Sequence, residues 1–316
     1  MSENSRPEWL AVSNIWFPIL SIVQAESERQ FEEELGFRPL LQGPTYDDIL
    51  AQDMANGKAL MAKYTIPGPD PSVKHTEHMT ETGVRLKSYT PPNFRPGQPI
   101  ILYIHGGGFV LGSVDLDDRF CNVHAKDTGC IIVSVEYGLA PQHKYPTALS
   151  DCVEGAGWCI DNAESLDCLK GRIVIMGKSA GGSLALGAAL KLIEGGRGAN
   201  VVGVVACQPC TVHPQNLPPG MESAYKSYDE NATNTVNTKQ GMLAFYGEYS
   251  SLRRGKVSGL TVRKKCTVRH RMILSHIRSC IRCWGSFQKH ISTPAVRIRC
   301  ETMRDCSKLY SKRTSK

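Results

Sequence analysis

The sequence predicts an α/β protein, with a mostly parallel sheet, helices on both of its faces and a helical N-terminal segment. Three observations lead there. Between residues 100 and 207, short β-branched apolar runs alternate with stretches of helical spacing at a steady pitch. Those runs show little polar alternation, which is the pattern of strands covered on both sides. With 316 residues and 41% hydrophobic composition, the chain can also bury one large core.

Residues 8–62 read as helical: Trp9, Leu10, Ile15, Leu20, Ile22 and Val23 are spaced for one partly buried face, and Phe31–Leu35 continues that character. Residues 63–80 are Pro-rich and polar and read as a loop. Arg85–Tyr89 alternates as a strand and must stop at Pro91-Pro92, which lack the amide donors a ladder needs. The regular series then begins. Ile100–Ile104 is an apolar strand, 114–128 a polar helix, Cys130–Tyr137 a second strand, and Ala148–Asp161 a helix with Val153, Ala156 and Ile160 on one side. Arg172–Met176 is a third strand, Ala180–Glu194 a strong helix closed by Gly195-Gly196-Arg197-Gly198, and Val201–Cys207 a fourth strand.

Charge divides the chain more sharply than hydropathy does. Residues 1–250 carry 19 Lys and Arg against 28 Asp and Glu, a balance of −9. Residues 251–316 carry 18 against 2, a balance of +16, with cysteines at 266, 280, 283, 300 and 306 and no strand–helix alternation. The overall +7 therefore belongs wholly to the last fifth. The expected organisation is a helical cap and linker over 1–80, an α/β core over 81–250, and a basic, Cys-rich segment over 251–316. That last segment is foreign to the fold, either without fixed structure or from an altered reading frame. The basic tail lacks the interleaved aromatics of a nucleic-acid surface, so no nucleic-acid partner is expected.

No apolar stretch approaches the length of a membrane span, and the N-terminus has no basic region ahead of an apolar run. The expected compartment is the cytoplasm, where the 12 cysteines stay reduced. Cys207-Gln-Pro-Cys210 and Cys280-Ile-Arg-Cys283 are too far apart for a zinc ribbon, and no metal is expected. Asn231-Ala-Thr233 fits a glycosylation sequon that a cytoplasmic chain leaves unused.

Two short motifs carry chemistry. Gly177-Lys178-Ser179-Ala180-Gly181-Gly182 is a G-x-S-x-G sequence placed between an apolar strand and a helix. There a serine hydroxyl is held above the sheet on a strained bend, so Gly177 and Gly181 must leave room around it. The amides at the start of the following helix, Ala180 first, face the place where negative charge develops. His105-Gly106-Gly107-Gly108-Phe109 follows the first strand of the series, and consecutive glycines leave backbone donors open to an oxyanion. A phosphate-binding loop would need G-x-G-x-x-G or a Gly-Lys-Ser/Thr here, and neither is present. His105 is expected to brace this loop rather than act as base.

His105–Ser113, Ser134–Pro141 followed by Tyr145-Pro-Thr-Ala148 and Asp151, and Gly177–Gly182 together resemble the hormone-sensitive lipase family of esterases, over about residues 10–250. The resemblance implies an eight-stranded α/β-hydrolase sheet with an N-terminal helical cap, and hydrolysis of small acyl or aryl esters without a cofactor. Many fungal deacetylating tailoring esterases belong to that family. It implies Ser179 as nucleophile, the amides of Gly107, Gly108 and Ala180 as oxyanion hole, His105, Gly106, Gly177 and Gly181 as supports, and Pro141, Pro146 and Asp151 as structural. The chain departs from the family at Gly138, Gln142 and Lys178, where Arg, Glu and Asp are usual, and Lys178 sits beside the nucleophile.

The triad acid and base are not found. Such enzymes run Ser, then Asp or Glu, then His. After residue 250 the only aspartate is Asp305, no histidine follows it, and His270, His276 and His290 lack the expected turn context. Glu248 comes too early. The final strands of the sheet are expected to be missing. The alternative to a working esterase is a small-ligand binding protein that keeps the pocket without the base. The substrate's identity and the oligomeric state are not legible in the sequence.

Overall fold

The computed structural model describes residues 31–250, apart from 65–67, 69, 215–216, 218–219, 224 and 234–236. Its centre is a six-stranded sheet in the order β1-β2-β4-β3-β5-β6, formed by β1 Lys74–Met79, β2 Arg85–Thr90, β3 Ile100–Ile104, β4 Ile132–Val135, β5 Ile173–Lys178 and β6 Val201–Cys207. β1, β2 and β4 pair antiparallel, while β4, β3, β5 and β6 run parallel. Residues 31–35 are helical, and helices α1 Tyr46–Lys63, α2 Asp118–Thr128, α3 Thr147–Asp161, α4 Ala180–Glu194, α5 Ser227–Glu230 and α6 Lys239–Tyr249 follow.

Alternation along the central strands builds two separate apolar layers. Leu102, Ile104, Ile173 and Ile175 point to one face, where they pack on Ala148, Cys152 and Ala156 of α3 and on Leu184, Ala185 and Ala188 of α4. Small residues on α3 and α4 let both helices lie close to the sheet and to each other. Ile101, Tyr103, Ile132, Val174 and Met176 point to the other face, toward Cys121 and Ala125 of α2. Each fully buried Ile or Leu contributes roughly 1.5–3 kcal/mol through loss of hydrated surface. Both faces are therefore committed to helices, as the apolar runs required.

A third cluster crosses the C-terminal end of the sheet. Ile49 and Leu60 of α1 meet Phe245 of α6, Leu41, and Val110 beyond β3. The capping layer thus combines α1 with α6, a helix that sequence patterning groups with the α/β body. α1 starts from a capping box in which Thr45 and Asp48 exchange hydrogen bonds.

The structure corrects one element outright. Residues 74–79 are a strand, not part of a loop. Lys-His-Thr-Glu-His-Met has no apolar alternation because β1 is an edge strand. Its place comes from the register with β2, Lys74 opposite Thr90 through Met79 opposite Arg85. The helical reading of residues 8–30 and every expectation for 251–316, the missing final strands included, lie outside the described residues.

Candidate active site

β5 ends at Lys178 and α4 begins at Ala180, so Ser179 alone makes the bend. Its backbone sits at φ 53° and ψ −121°, a region that costs a non-glycine residue on the order of 1–3 kcal/mol. Surrounding structure imposes that conformation. The Ser179 N–H donates to the Cys207 carbonyl at 2.8 Å, and the Ser183 N–H donates to the Ser179 carbonyl at 3.2 Å. A Cβ on Gly177 would stand 2.2 Å from the Gly181 carbonyl oxygen. A Cβ on Gly181 would stand 2.1 Å from the Ile104 oxygen and 2.3 Å from the His105 oxygen. The bend and the glycine loop after β3 therefore meet backbone to backbone, with no side chain between them.

In that loop Gly107, Gly108 and Phe109 take φ values of 117°, 61° and 70°. Three consecutive positive φ angles turn successive amides in an unusual direction, which only glycines adopt at low cost. The Gly107 carbonyl accepts from Val110 and Leu111 N–H at 3.1 and 2.8 Å. Phe245 of α6 lies directly over Gly108, where any Cβ would come within 2.4 Å of its ring. Ser179, as N-cap of α4, makes no side-chain capping bond, so its hydroxyl is not spent on the helix end.

His105 is fully buried, with Nδ1 2.7 Å from the Gly106 carbonyl and its ring stacked on Tyr137 at 4.2 Å. Burial pushes its pKa down, which keeps the ring neutral. The Tyr137 hydroxyl donates to the His105 carbonyl at 3.1 Å. The ring thus faces its own loop, not Ser179. Asp151 accepts the Gly138 N–H at 2.8 Å and ties down the segment 138–146, whose Ala140–Pro141 and Tyr145–Pro146 peptides are cis.

Lys178 departs from what its sequence neighbour suggests. Its ammonium lies on the α2 face of the sheet, 3.1 Å from Asp117 Oδ1 and over the Phe120 ring at 5.0 Å. Strand alternation sends residue 178 to that face while the bend carries Ser179 above the sheet's edge.

Among the described residues, the side-chain hydrogen-bonding neighbour of Ser179 Oγ is Cys210 Sγ at 3.9 Å. Burial raises the Cys210 thiol pKa, so it stays protonated at neutral pH. Beyond it stands an aromatic wall. Phe109 stacks on Tyr249 at 4.1 Å and tilts toward Tyr246 at 6.2 Å, while His213 lies 4.6 Å from Tyr246. The Tyr246 hydroxyl is buried near the Cys210 thiol and the Tyr228 hydroxyl without completing a well-formed hydrogen bond. Sequence reading missed Cys210, Tyr246 and Tyr249. The available signal was Phe245-Tyr246-x-x-Tyr249 in a helix, with Phe245 and Tyr249 one turn apart.

Asp305, His270, His276 and His290 lie outside the described residues. Glu248 is within them, and its carboxylate faces Lys144 at 3.7 Å. Among the described residues, no group of three or more His, Cys, Asp or Glu side chains is placed to hold a metal ion.

A serine on a strained strand-to-helix bend, abutting a glycine loop, is the geometry of a nucleophile elbow. The chain belongs to the alpha/beta hydrolase fold family, whose pattern matches residues 101–259. It is 42% identical over 222 residues to a versiconal hemiacetal acetate esterase of Aspergillus parasiticus, covering 70% of this chain and 69% of that protein. A versiconal hemiacetal acetate esterase of Emericella nidulans is 38% identical over 194 residues, 61% of this chain and 65% of that one. The structure of an esterase from the archaeon Pyrobaculum calidifontis aligns with a TM-score of 0.56 at 28% identity, over 75% of this chain and 73% of that chain. The chain thus spans about two thirds of the length of its fungal esterase relatives. The resemblance to the esterase family read from the motifs is borne out.

Proposed function

We propose that this chain is a serine carboxylester hydrolase acting on small acyl esters of aromatic alcohols through an acyl-enzyme, with the reaction located in the cytoplasm. The observation that carries the proposal is the strained Ser179 bend in backbone contact with the Gly107–Gly108 loop. Ser179 Oγ attacks the ester carbonyl and gives up its proton to a general base. The amides of Gly107, Gly108 and Ala180 stabilise the oxyanion of the tetrahedral intermediate. The intermediate expels the alcohol, leaving an acyl group on Ser179, and water then releases the acid. His105 holds the loop through the Gly106 carbonyl, with Gly106, Gly177 and Gly181 supplying close approach. The general base and its acid partner are not assigned to a residue. The reaction needs neither metal nor cofactor.

The substrate class rests on Tyr246: Phe109 is buried with its ring stacked on Tyr249, while Tyr246 lies beside Cys210, the neighbour of Ser179, and suits a flat aryl group by stacking. The acetate esters in the names of the fungal relatives support acetyl as the acyl group carried by Ser179 and a deacetylating, tailoring role in a secondary-metabolite pathway. The sheet from β1 to β6 with its flanking helices forms the catalytic body, and α1 with α6 forms the cap. Among the described residues, no two cysteines are joined by a disulfide. Among the described residues no helix is long and apolar enough to cross a membrane.

The test is hydrolysis of p-nitrophenyl acetate and octanoate by the full chain and by Ser179→Ala, with fluorophosphonate labelling of Ser179. Acetate preferred over octanoate, activity lost in the variant and labelling of Ser179 support the proposal. Hydrolysis that survives Ser179→Ala removes the nucleophile assignment. A folded wild-type chain that neither labels nor hydrolyses rejects the enzyme.

A further inference from the structure

The ion pair behind the nucleophile carries an inference of its own. Lys178 is adjacent in sequence to Ser179, and Asp117 follows the glycine loop by nine residues. Both side chains are buried: Asp117 has no exposure and the Lys178 side chain only 9%. Their separation is 3.1 Å, and the second Asp117 oxygen accepts the Tyr103 hydroxyl at 2.8 Å. One carboxylate thus joins the end of β5, the adjacent strand β3 and the exit of the glycine loop. From outside, the same turn is gripped by Arg85 and Lys87 on Asp115, at 2.9 and 2.8 Å. The Val114 N–H donates to Glu136 at 3.0 Å.

A buried ion pair is weak evidence of added stability, because an apolar pair of similar volume often serves as well. Its value lies in geometry. A charge in the interior tolerates few positions, so the pair fixes the distance between the segments it joins. Those segments are the Ser179 bend and the 115–117 turn that leads the chain from the glycine loop into α2. The other end of the loop is set by the contact of Gly181 with the Ile104 and His105 carbonyls.

We propose that Lys178 and Asp117 are positioning residues: their buried pair is a strut that holds the Ser179 bend in register with the Gly107–Gly108 loop. The pair touches no substrate and acts only through the two segments it joins. The kinetic consequence rests on the proposed function above; the structural consequence does not. Without the strut, bound substrate still finds its pocket, while the oxyanion donors sit off their mark. The expected signature is a loss in kcat with KM preserved.

The experiment uses the full chain with Lys178→Met, the apolar pair D117L/K178M and the reversed pair D117K/K178D. Hydrogen exchange of segments 105–113 and 177–183, thermal midpoints, and kcat and KM for p-nitrophenyl acetate are measured on each. The strut predicts exchange in both segments at least tenfold faster in the apolar pair, with α3 protection unchanged. It also predicts kcat at least tenfold lower with KM within twofold, and recovery of exchange and kcat in the reversed pair. Wild-type exchange in the apolar pair overturns the proposal, as does a reversed pair that folds without recovery. If Lys178→Met fails to fold, the apolar pair, which leaves no buried charge alone, still decides. If wild-type protein hydrolyses no ester, the proposed function fails while the exchange measurement still judges the strut.

Discussion

Gly181→Ala is the sharpest perturbation of this site. The added methyl would stand 2.1 Å from the Ile104 oxygen, 2.3 Å from the His105 oxygen and 2.8 Å from the Ile104 carbonyl carbon. All three are backbone atoms, so no rotamer change relieves the clash. Ordinary van der Waals contact begins at 3.4 Å, so the 2.1 Å approach requires α4 and the end of β3 to separate by more than 1 Å. Overpacking of this kind costs roughly 1–3 kcal/mol. A displacement of about 1 Å between a nucleophile and the donors that serve it costs on the order of 100-fold in rate. The comparison variant is Gly57→Ala, inside α1, where an added methyl meets nothing within 4 Å. Replacing a helical glycine there is worth about 0.5–1 kcal/mol of added stability. Urea unfolding and p-nitrophenyl acetate turnover on both variants give the answer. Gly181→Ala within twofold of wild type in activity, with an unchanged unfolding midpoint, would refute the claim that these segments meet backbone to backbone.

Ser179→Gly is expected to abolish turnover while raising stability by up to about 1 kcal/mol, because glycine takes the φ of 53° without strain; a lower urea midpoint contradicts this. Asp53 is buried enough that its pKa rises from 3.8 to about 6. Below about pH 4 the carboxyl is protonated in both folded and unfolded chains. As pH rises through 4–6 the folded chain resists ionisation, and stability is lost. Asp53→Asn should therefore stabilise the protein by roughly 1–2 kcal/mol at pH 7.5, below the ~3 kcal/mol ceiling because the group is partly exposed, with the gain fading by pH 4. A gain equal at both pH values, followed by urea midpoints, would count against it. Tyr246→Ala removes one ring of the aromatic wall, and an aromatic contact is worth about 0.5–1.5 kcal/mol. KM for 1-naphthyl acetate should rise roughly 2- to 12-fold, against less than twofold for vinyl acetate. Equal changes for the two esters would show that the wall does not read the alcohol.

Composition and local pattern were enough to locate the parallel centre of the fold and the Ser179 bend. Ala180–Glu194 and Val201–Cys207 have the same ends in sequence and structure. Strands buried on both faces must be apolar throughout, and glycine marks where the backbone turns or touches itself, so composition alone records both. Other features were decided only in three dimensions. β1 is polar because only its pairing with β2 makes it a strand. Lys178 reads as a stray charge beside Ser179 until folding brings Asp117, 61 residues earlier, to 3.1 Å. Residues 239–249 carry no helical reading in the sequence, and only the fold puts Phe245 on Gly108 and stacks Tyr249 on Phe109. Local pattern encodes what a segment buries or how it bends. Which distant charge neutralises a buried lysine, and which ring covers a glycine loop, depends on packing between elements far apart in the chain, and periodicity carries no record of that.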